Sequence, residues 1–481
     1  MKYLLLFVCI LTVQGQLIGQ GIRGKITDID GESLPFASVV IRNLGDGVPS
    51  NNLGEYAYPL NPGHYDVVFQ YMGYASKVVP VEISDEWLQL DVQLEAQVYT
   101  LKEITVTSGK EDPAATIMRK AIAKAKYHRL QLDEYSMTVY IKGTGKLTNA
   151  PFFMKKKLKE EGLNLNEAYT SESVSRITVS QPNKVEEKVI SIRTNGENNA
   201  TSPAPYIGAS FYDDKINQAI SPLSKAAFAY YSFTYMGYFM EEGVLINKIK
   251  VTPRSKGEFV FDGDLFIVED SWAIHSLNLN NSLMGFKINV NQLYTQIEPE
   301  VWLPTTHTYI FGGKFFGFSG DYTYLASCRD FEIKRNADLI IKPTIIDEKV
   351  EDAPPPIAQI RQENPQTQLA NTEEMSRKDF RKLINAYEKE SLKEQKNTEI
   401  ITERLYSVDS LAKKRELNYW DSIRPMPLTN LEIQGYQRDD SLAVIEQAKA
   451  SDKDSLKSKV KKKFNPIDIL NGGQYHFGKG R

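Results

Sequence analysis

The feature that most limits how this chain can fold lies between residues 243 and 333. Six segments, GVLINKIKVTPRS, GEFVFDGDLFIVED, SWAIHSLNLNN, GFKINVNQLYTQI, VWLPTTHTYIF and FFGFSGDYTYLASCRDFEI, alternate apolar and polar residues and are parted by short polar turns. Period-two runs joined this closely pair with their sequence neighbours, so they predict an antiparallel meander. A meander of this length curves, and its concave face must be covered or occupied. Phe259, Phe261, Phe266, Trp272, Leu277 and Trp302 are the candidates for an apolar groove on that face. Ordinary sheet core is the competing reading, because aromatics at period two are what any sheet buries.

The 481 residues allow two or three domains, and a 41% hydrophobic content supports real cores. The first stretch, MKYLLLFVCILTVQGQLIGQG, has one Lys and an apolar run from Tyr3 to Val13. That run is about half of the ~20 residues a membrane-spanning helix needs, so residues 1–20 read as a cleavable export signal, with the mature chain starting between Gln16 and Gly21. Cys9 lacks the small residues that precede a lipidated cysteine. Removing the signal leaves Cys328 alone, so no internal disulfide is expected.

Residues 21–98 predict a small β-sandwich. KIT, ASVVIR, EYAYPL, YDVVFQYMGY and SKVVPVEI read as strands, with DIDGE, NLGDG, NNLGE and NPGH as turns. Asp28, Asp30 and Glu32 lack the continued ligand spacing of a calcium loop and read as an Asp-Gly turn. Residues 99–110 are a linker containing LKEITVTSG. Residues 111–340 open with a helix carrying Ile117, Ala121, Ile122 and Ala125 at helical spacing and continue into the sheet. From 341 to 481 the composition changes. EDAPPPIAQ is a proline-rich linker, MSRKDFRKLINAYEKESLKEQK a charged helix or solvated extension, and Pro425 and Pro427 fix a bend before a second helix after Asp439. Lys461 to Lys463 read as solvated.

Chemistry-bearing patterns are missing. The net charge of −3 gives no footprint for nucleic acid. The five histidines, at 64, 128, 275, 307 and 476, form neither HxxE nor HExxH, so no hydrolytic zinc is expected. GFSGD at 317–321 lacks the spacing of a nucleophile elbow, and no phosphate-binding or dinucleotide-binding glycine motif occurs. Asp262 and Asp264 read as hairpin-turn residues. The expectation is no enzyme, no catalytic residue, no metal and no cofactor.

The stretch GKITDIDGESLPFASVVIRNLGDGVPSNNLGEYAYPL followed by GHYDVVFQYMGY resembles the carboxypeptidase-regulatory-like domain, a seven-stranded transthyretin-like sandwich common at the periplasmic amino termini of Bacteroidota-type outer-membrane proteins. LKEITVTSG, with Ile104, Thr105, Val106 and Thr107, is similar to the tether that follows this domain in TonB-dependent receptors, where an extended peptide adds as a strand to a partner. No plug domain follows, so a connector is preferred over a handle. The DPA entry, the helix ending in KAKYHR and the strand YSMTVYIKG resemble an outer-membrane family of unknown function, and the curved sheet resembles the half-barrel of periplasmic lipoprotein carriers. LNYWDSIRPMPLTNLEIQGYQRDDSL also resembles that family, whose longer members continue into an outer-membrane β-barrel. No alternating strands follow here, so the resemblance implies a copy truncated before the barrel.

The resulting expectation is a mainly β protein: a sandwich, a curved antiparallel half-barrel sheet with helices, and a charged helical or disordered extension. Its expected role is the periplasmic part of an outer-membrane protein, exported to the periplasm or outer membrane of a Gram-negative bacterium, binding lipid or an envelope protein partner. The alternatives are a TonB-linked uptake component and a carbohydrate-binding envelope module.

Overall fold

The computed structural model describes residues 20–100, 403–438 and, with interruptions of which 194–206 is the longest, 112–339. The expected signal, the tether residues 104–107, the charged segment after 341 and the helix expected beyond Asp439 lie outside the described residues. Two compact units divide the chain.

The first unit is a β-sandwich of eight short strands. In one sheet β1 (Gly21–Asp28) pairs antiparallel with β4 (Glu55–Pro59) and parallel with β7 (Trp87–Gln89) and β8 (Val92–Leu94). The other has the order β3 (Asp46–Pro49), β2 (Ser38–Ile41), β5 (Gly63–Gln70), β6 (Lys77–Ile83). Ile22, Ile26, Val39, Ile41, Val67 and Phe69 are fully buried between the two. Residues two apart share a face of a strand, so these runs place their apolar set inward. The count exceeds the seven strands implied by resemblance because the last edge is split into β7 and β8. Gly24 sits at the break, where a Cβ would come within 2.0 Å of the Leu90 carbonyl. Asp28 closes the DIDGE turn, its Oδ1 accepting from the N–H groups of Asp30 at 3.0 Å and Glu32 at 2.8 Å.

Among the described residues the second unit is built on one curved sheet of eleven strands, beside which β12 (Lys215–Ile216) and β13 (Ala219–Ile220) pair as a two-stranded ribbon. Its order is β14 (Tyr231–Glu241), β15 (Val244–Pro253), β16 (Asp262–Val268), β17 (Ile274–Leu283), β18 (Phe286–Glu298), β19 (Val301–Phe315), β20 (Phe318–Arg335), β9 (Leu132–Asn149), β10 (Ala168–Ser180), β11 (Lys184–Arg193), β21 (Glu403–Val408). The meander is present from β14 to β20, and every pairing is antiparallel except that of β21 with β11. The sequence reading ends this domain at residue 340, yet residues 403–420 and 428–438 cluster with the sheet. Residues 430–438 are helical, ahead of the start expected after Asp439.

Helix α1 (Pro113–Leu130) starts where the sequence places it. Asp112 caps it by accepting the Ala114 N–H at 2.8 Å, and Pro113 fills the first turn, where a missing N–H costs nothing. Ile117, Met118, Ala121 and Ala125 are buried in the same cluster as Met137, Val139, Tyr235, Ile249, Leu265 and Leu277. That cluster defines the inner face of the sheet.

Candidate functional site

The pairing register sets the inner face in rows. One row runs Ile249, Leu265, Leu277, Gln292, His307, Ala326, Ile141, Ser173 across eight strands. The next runs Leu279, Val290, Tyr309, Tyr324, Gly143, Ser171. The β15–β17 end is aliphatic, Tyr309 and Tyr324 stand on β19 and β20, and the β9–β10 end carries serines and a glycine. At Gly143 a Cβ would lie 2.1 Å from the Tyr322 hydroxyl, so the missing side chain is the space the tyrosine occupies.

His307 stands where the two halves meet and has no exposed surface. The Gln292 side-chain amide donates to its Nδ1 at 3.0 Å and to the Tyr309 hydroxyl at 3.3 Å, while the Tyr294 hydroxyl donates to Gln292 Oε1 at 3.0 Å. With Nδ1 accepting, the ring proton resides on Nε2, which has no partner among the described residues. Burial holds this imidazole down at about 4, hence neutral. Ser173 Oγ, in the same row, is likewise buried without a partner. A buried donor left unanswered costs ~1–3 kcal/mol, so two in one row form an anomaly.

A second histidine closes the other side. His128, near the end of α1, stacks on Tyr212 with ring centroids 5.1 Å apart and donates through Nε2 to the Ser271 carbonyl at 2.9 Å. Burial again dominates and lowers its pKa to about 4, although the hydrogen bond to Ser271 opposes the shift. Tyr212 in turn lies edge-on to Tyr294, whose hydroxyl bond to Gln292 carries the chain of contacts on to His307.

The six groove candidates do not form one surface. Phe261 and Leu277 are buried in the inner cluster, and Trp272 and Trp302 pack at its margin. Lys120 of α1 lies over the Trp272 ring at 4.6 Å, and Trp302 lies edge-on to His275 at 5.9 Å. Phe266 points to the face opposite Leu265 and Ile267, towards Phe239 and Lys248. Phe259 is 49% exposed. His307 and Gln292 did carry a sequence signal, each being a polar residue on the apolar parity of its strand.

The late segment covers the outer face at β9 and β10. Lys142 Nζ lies 3.0 Å from Glu432 Oε1, both side chains nearly inaccessible, and Thr144 donates to the same carboxylate at 2.9 Å. Burial pushes the Glu432 carboxyl up, but Lys142 and the Thr429 N–H more than offset this, and its pKa falls below the usual range. Glu172 accepts from the hydroxyls of Tyr140 at 2.5 Å and Tyr436 at 2.8 Å.

Residues 117–331 match the model of a family of unknown function, DUF5686, and residues 22–106 match that of the CarboxypepD_reg-like domain. The chain joins a CarboxypepD_reg-like domain to a DUF5686 domain. The DUF5686 match starts inside α1 and ends within β20, so β21 and residues 430–438 lie beyond it. The TonB-dependent receptor P39 of Formosa agariphila is 26% identical over 115 residues, 24% of this chain and 11% of the receptor. The chain therefore spans about a tenth of the curated relative it matches. A DUF1329 family protein from Desulfovibrio piger shares 10% identity over 50% of this chain and 99% of its own, with a TM-score of 0.22. A putative outer membrane lipoprotein-sorting protein domain from Vibrio parahaemolyticus shares 12% identity over 44% of this chain and 91% of its own, with a TM-score of 0.19. Both likenesses are slight.

Proposed function

We propose that this chain is a non-catalytic cell-envelope protein that holds an amphiphile on the inner face of its DUF5686 sheet. One observation carries the reading: the face is aliphatic at one end, yet keeps the buried, unanswered polar atoms of His307 at its centre and of Ser173 towards its other end. A core built only for stability pairs such atoms or replaces them. The non-catalytic reading is supported by Cys328, whose thiol burial pushes up, away from the reactive thiolate. A periplasmic or outer-membrane location is supported by the CarboxypepD_reg-like domain and the receptor relative.

The test uses the full chain purified from envelopes. Organic extraction followed by mass spectrometry is expected to release a stoichiometric lipid, and adding a fluorescent fatty-acid derivative to the delipidated chain is expected to shift Trp272 emission. Delipidated protein that binds no probe and melts as cooperatively as before would mean that the sheet is closed on its own core.

A second reading, a TonB-linked uptake component with Ile104 to Thr107 as the handle, is favoured by the receptor relative. Capture of the chain by a TonB carboxyl-terminal domain, lost when residues 104–107 are deleted, would establish it. Unaltered capture by the deletion variant, or none by either, would leave the segment a connector.

A further inference from the structure

We infer that the amphiphile held on the inner face has an uncharged, carbonyl-bearing head, an ester of the monoacylglycerol class, whose oxygen accepts from His307 Nε2–H while Ser173 Oγ makes a second contact. The inference rests on the holding function proposed above and specifies what is held. Ala326 and Ile141 alone separate His307 from Ser173 in their row, three strand spacings or roughly 14 Å between backbones. Side chains on a concave face converge, so both atoms can reach one extended polar head. The aliphatic end of the same row, Leu277, Leu265 and Ile249, continues away from His307 and suits a hydrocarbon tail.

Charge selects among head groups. Lys142 is the sole buried lysine or arginine among the described residues; it lies on the outer face and is paired with Glu432. Arg129, near the end of α1, is paired with Asp213 at 3.0 Å. The buried carboxylate on the β11 part of the inner face, Glu187, accepts from Ser175 at 3.0 Å. An anionic head seated at His307 would shed its water with a neutral imidazole as its partner and no cation beside it, a heavy desolvation cost. A carbonyl oxygen asks only for the one donor that the site offers.

The experiment titrates the full chain with monomyristoylglycerol, myristate and myristyl trimethylammonium, each read by displacement of bound N-phenylnaphthylamine. The glyceride is expected to bind at least about tenfold more tightly than either ion. His307→Phe, which keeps the ring and removes the donor, is expected to lose about tenfold in glyceride affinity with N-phenylnaphthylamine affinity retained, the loss of one hydrogen bond to a buried carbonyl. Ser173→Ala is expected to weaken the glyceride by about threefold, and it decides the matter if His307→Phe does not fold. Equal or tighter binding of myristate or the ammonium, or unchanged glyceride affinity in the variant that folds, overturns the head-group assignment and leaves the holding function standing. If N-phenylnaphthylamine and all three amphiphiles fail to bind, the holding function falls as well.

Discussion

Thr100 and Tyr238 exchange both of their backbone hydrogen bonds, N–H of Thr100 to the Tyr238 carbonyl at 2.8 Å and N–H of Tyr238 to the Thr100 carbonyl at 2.9 Å. The residues that lead into the tether thereby add to β14, the free edge of the eleven-stranded sheet. Tyr99 completes the attachment, its ring 6.0 Å from Phe239 and under the Lys248 ammonium at 4.6 Å. The approach requires Gly237, which has φ +105° and whose added Cβ would lie 2.9 Å from the Thr100 carbonyl oxygen. Strand addition is a means by which an envelope protein can capture a peptide, and here the edge is already engaged by the chain itself.

Gly237→Val is therefore expected to detach this segment, through both the clash and the backbone conformation that a β-branched residue resists. Hydrogen exchange at the Thr100 amide should accelerate by at least tenfold while amides of β18 and β19 keep their protection. Unchanged protection at Thr100 would show that the pairing contributes nothing in solution. Tyr99→Ala offers a milder route to the same readout.

Lys142 and Glu432 give a different kind of prediction, since both charges are withdrawn from water. Lys142→Met alone leaves a buried carboxylate without its counter-ion and is expected to cost ~3–5 kcal/mol, whereas Lys142→Met combined with Glu432→Leu should recover most of that loss. Urea unfolding of the single and double variants checks it. A double variant no better than the single one would remove the ion pair from the account of how residues 430–438 are held.

Acid should weaken the DUF5686 domain in two windows. His128 and His307 titrate near 6.5 when unfolded and at about 4 when folded, so their stabilising contribution is full above pH 6.5 and drains away as pH falls towards 4. Each is worth up to ~3 kcal/mol over that window. Glu432, whose folded pKa is depressed, adds a further loss below the ordinary carboxylate range. Denaturation midpoints measured from pH 7 to pH 4 should fall steadily, and His307→Phe should flatten the slope by about half. A variant slope equal to that of the wild type would contradict the neutral, buried state of His307.

The meander was legible because its strands are sequence neighbours with short turns, and α1 because Asp112, Pro113 and the apolar spacing agree. The groove was only half legible. A register shift between Phe266 and Ile267 breaks strict alternation, and Trp272 takes a positive φ of 56° in the following turn, so period two alone misjudges which aromatics share a face. The Gln292 and His307 contact depends on which residue of β18 faces which residue of β19, set in part by shifts at Leu293/Tyr294 and Gln296/Glu298. β21 was invisible because ERLYSV is a short run, exposed from Leu405 to Val408, and its partner β11 is remote in sequence.

That remoteness has a consequence in time. Lys184 of β11 pairs with Glu403 of β21, more than 200 residues later in synthesis. At about 5–20 residues per second, the β11 edge waits roughly 10–40 s after leaving the ribosome before its permanent partner exists. An unpaired edge is a template for foreign strands, so during that interval the nascent chain depends on a holding chaperone or on speed. A chain ended at residue 402 would stay in that condition indefinitely and is expected to sediment as aggregates where the full chain does not. The eleventh strand thus acts as a late seal, applied after everything else in the sheet has been made.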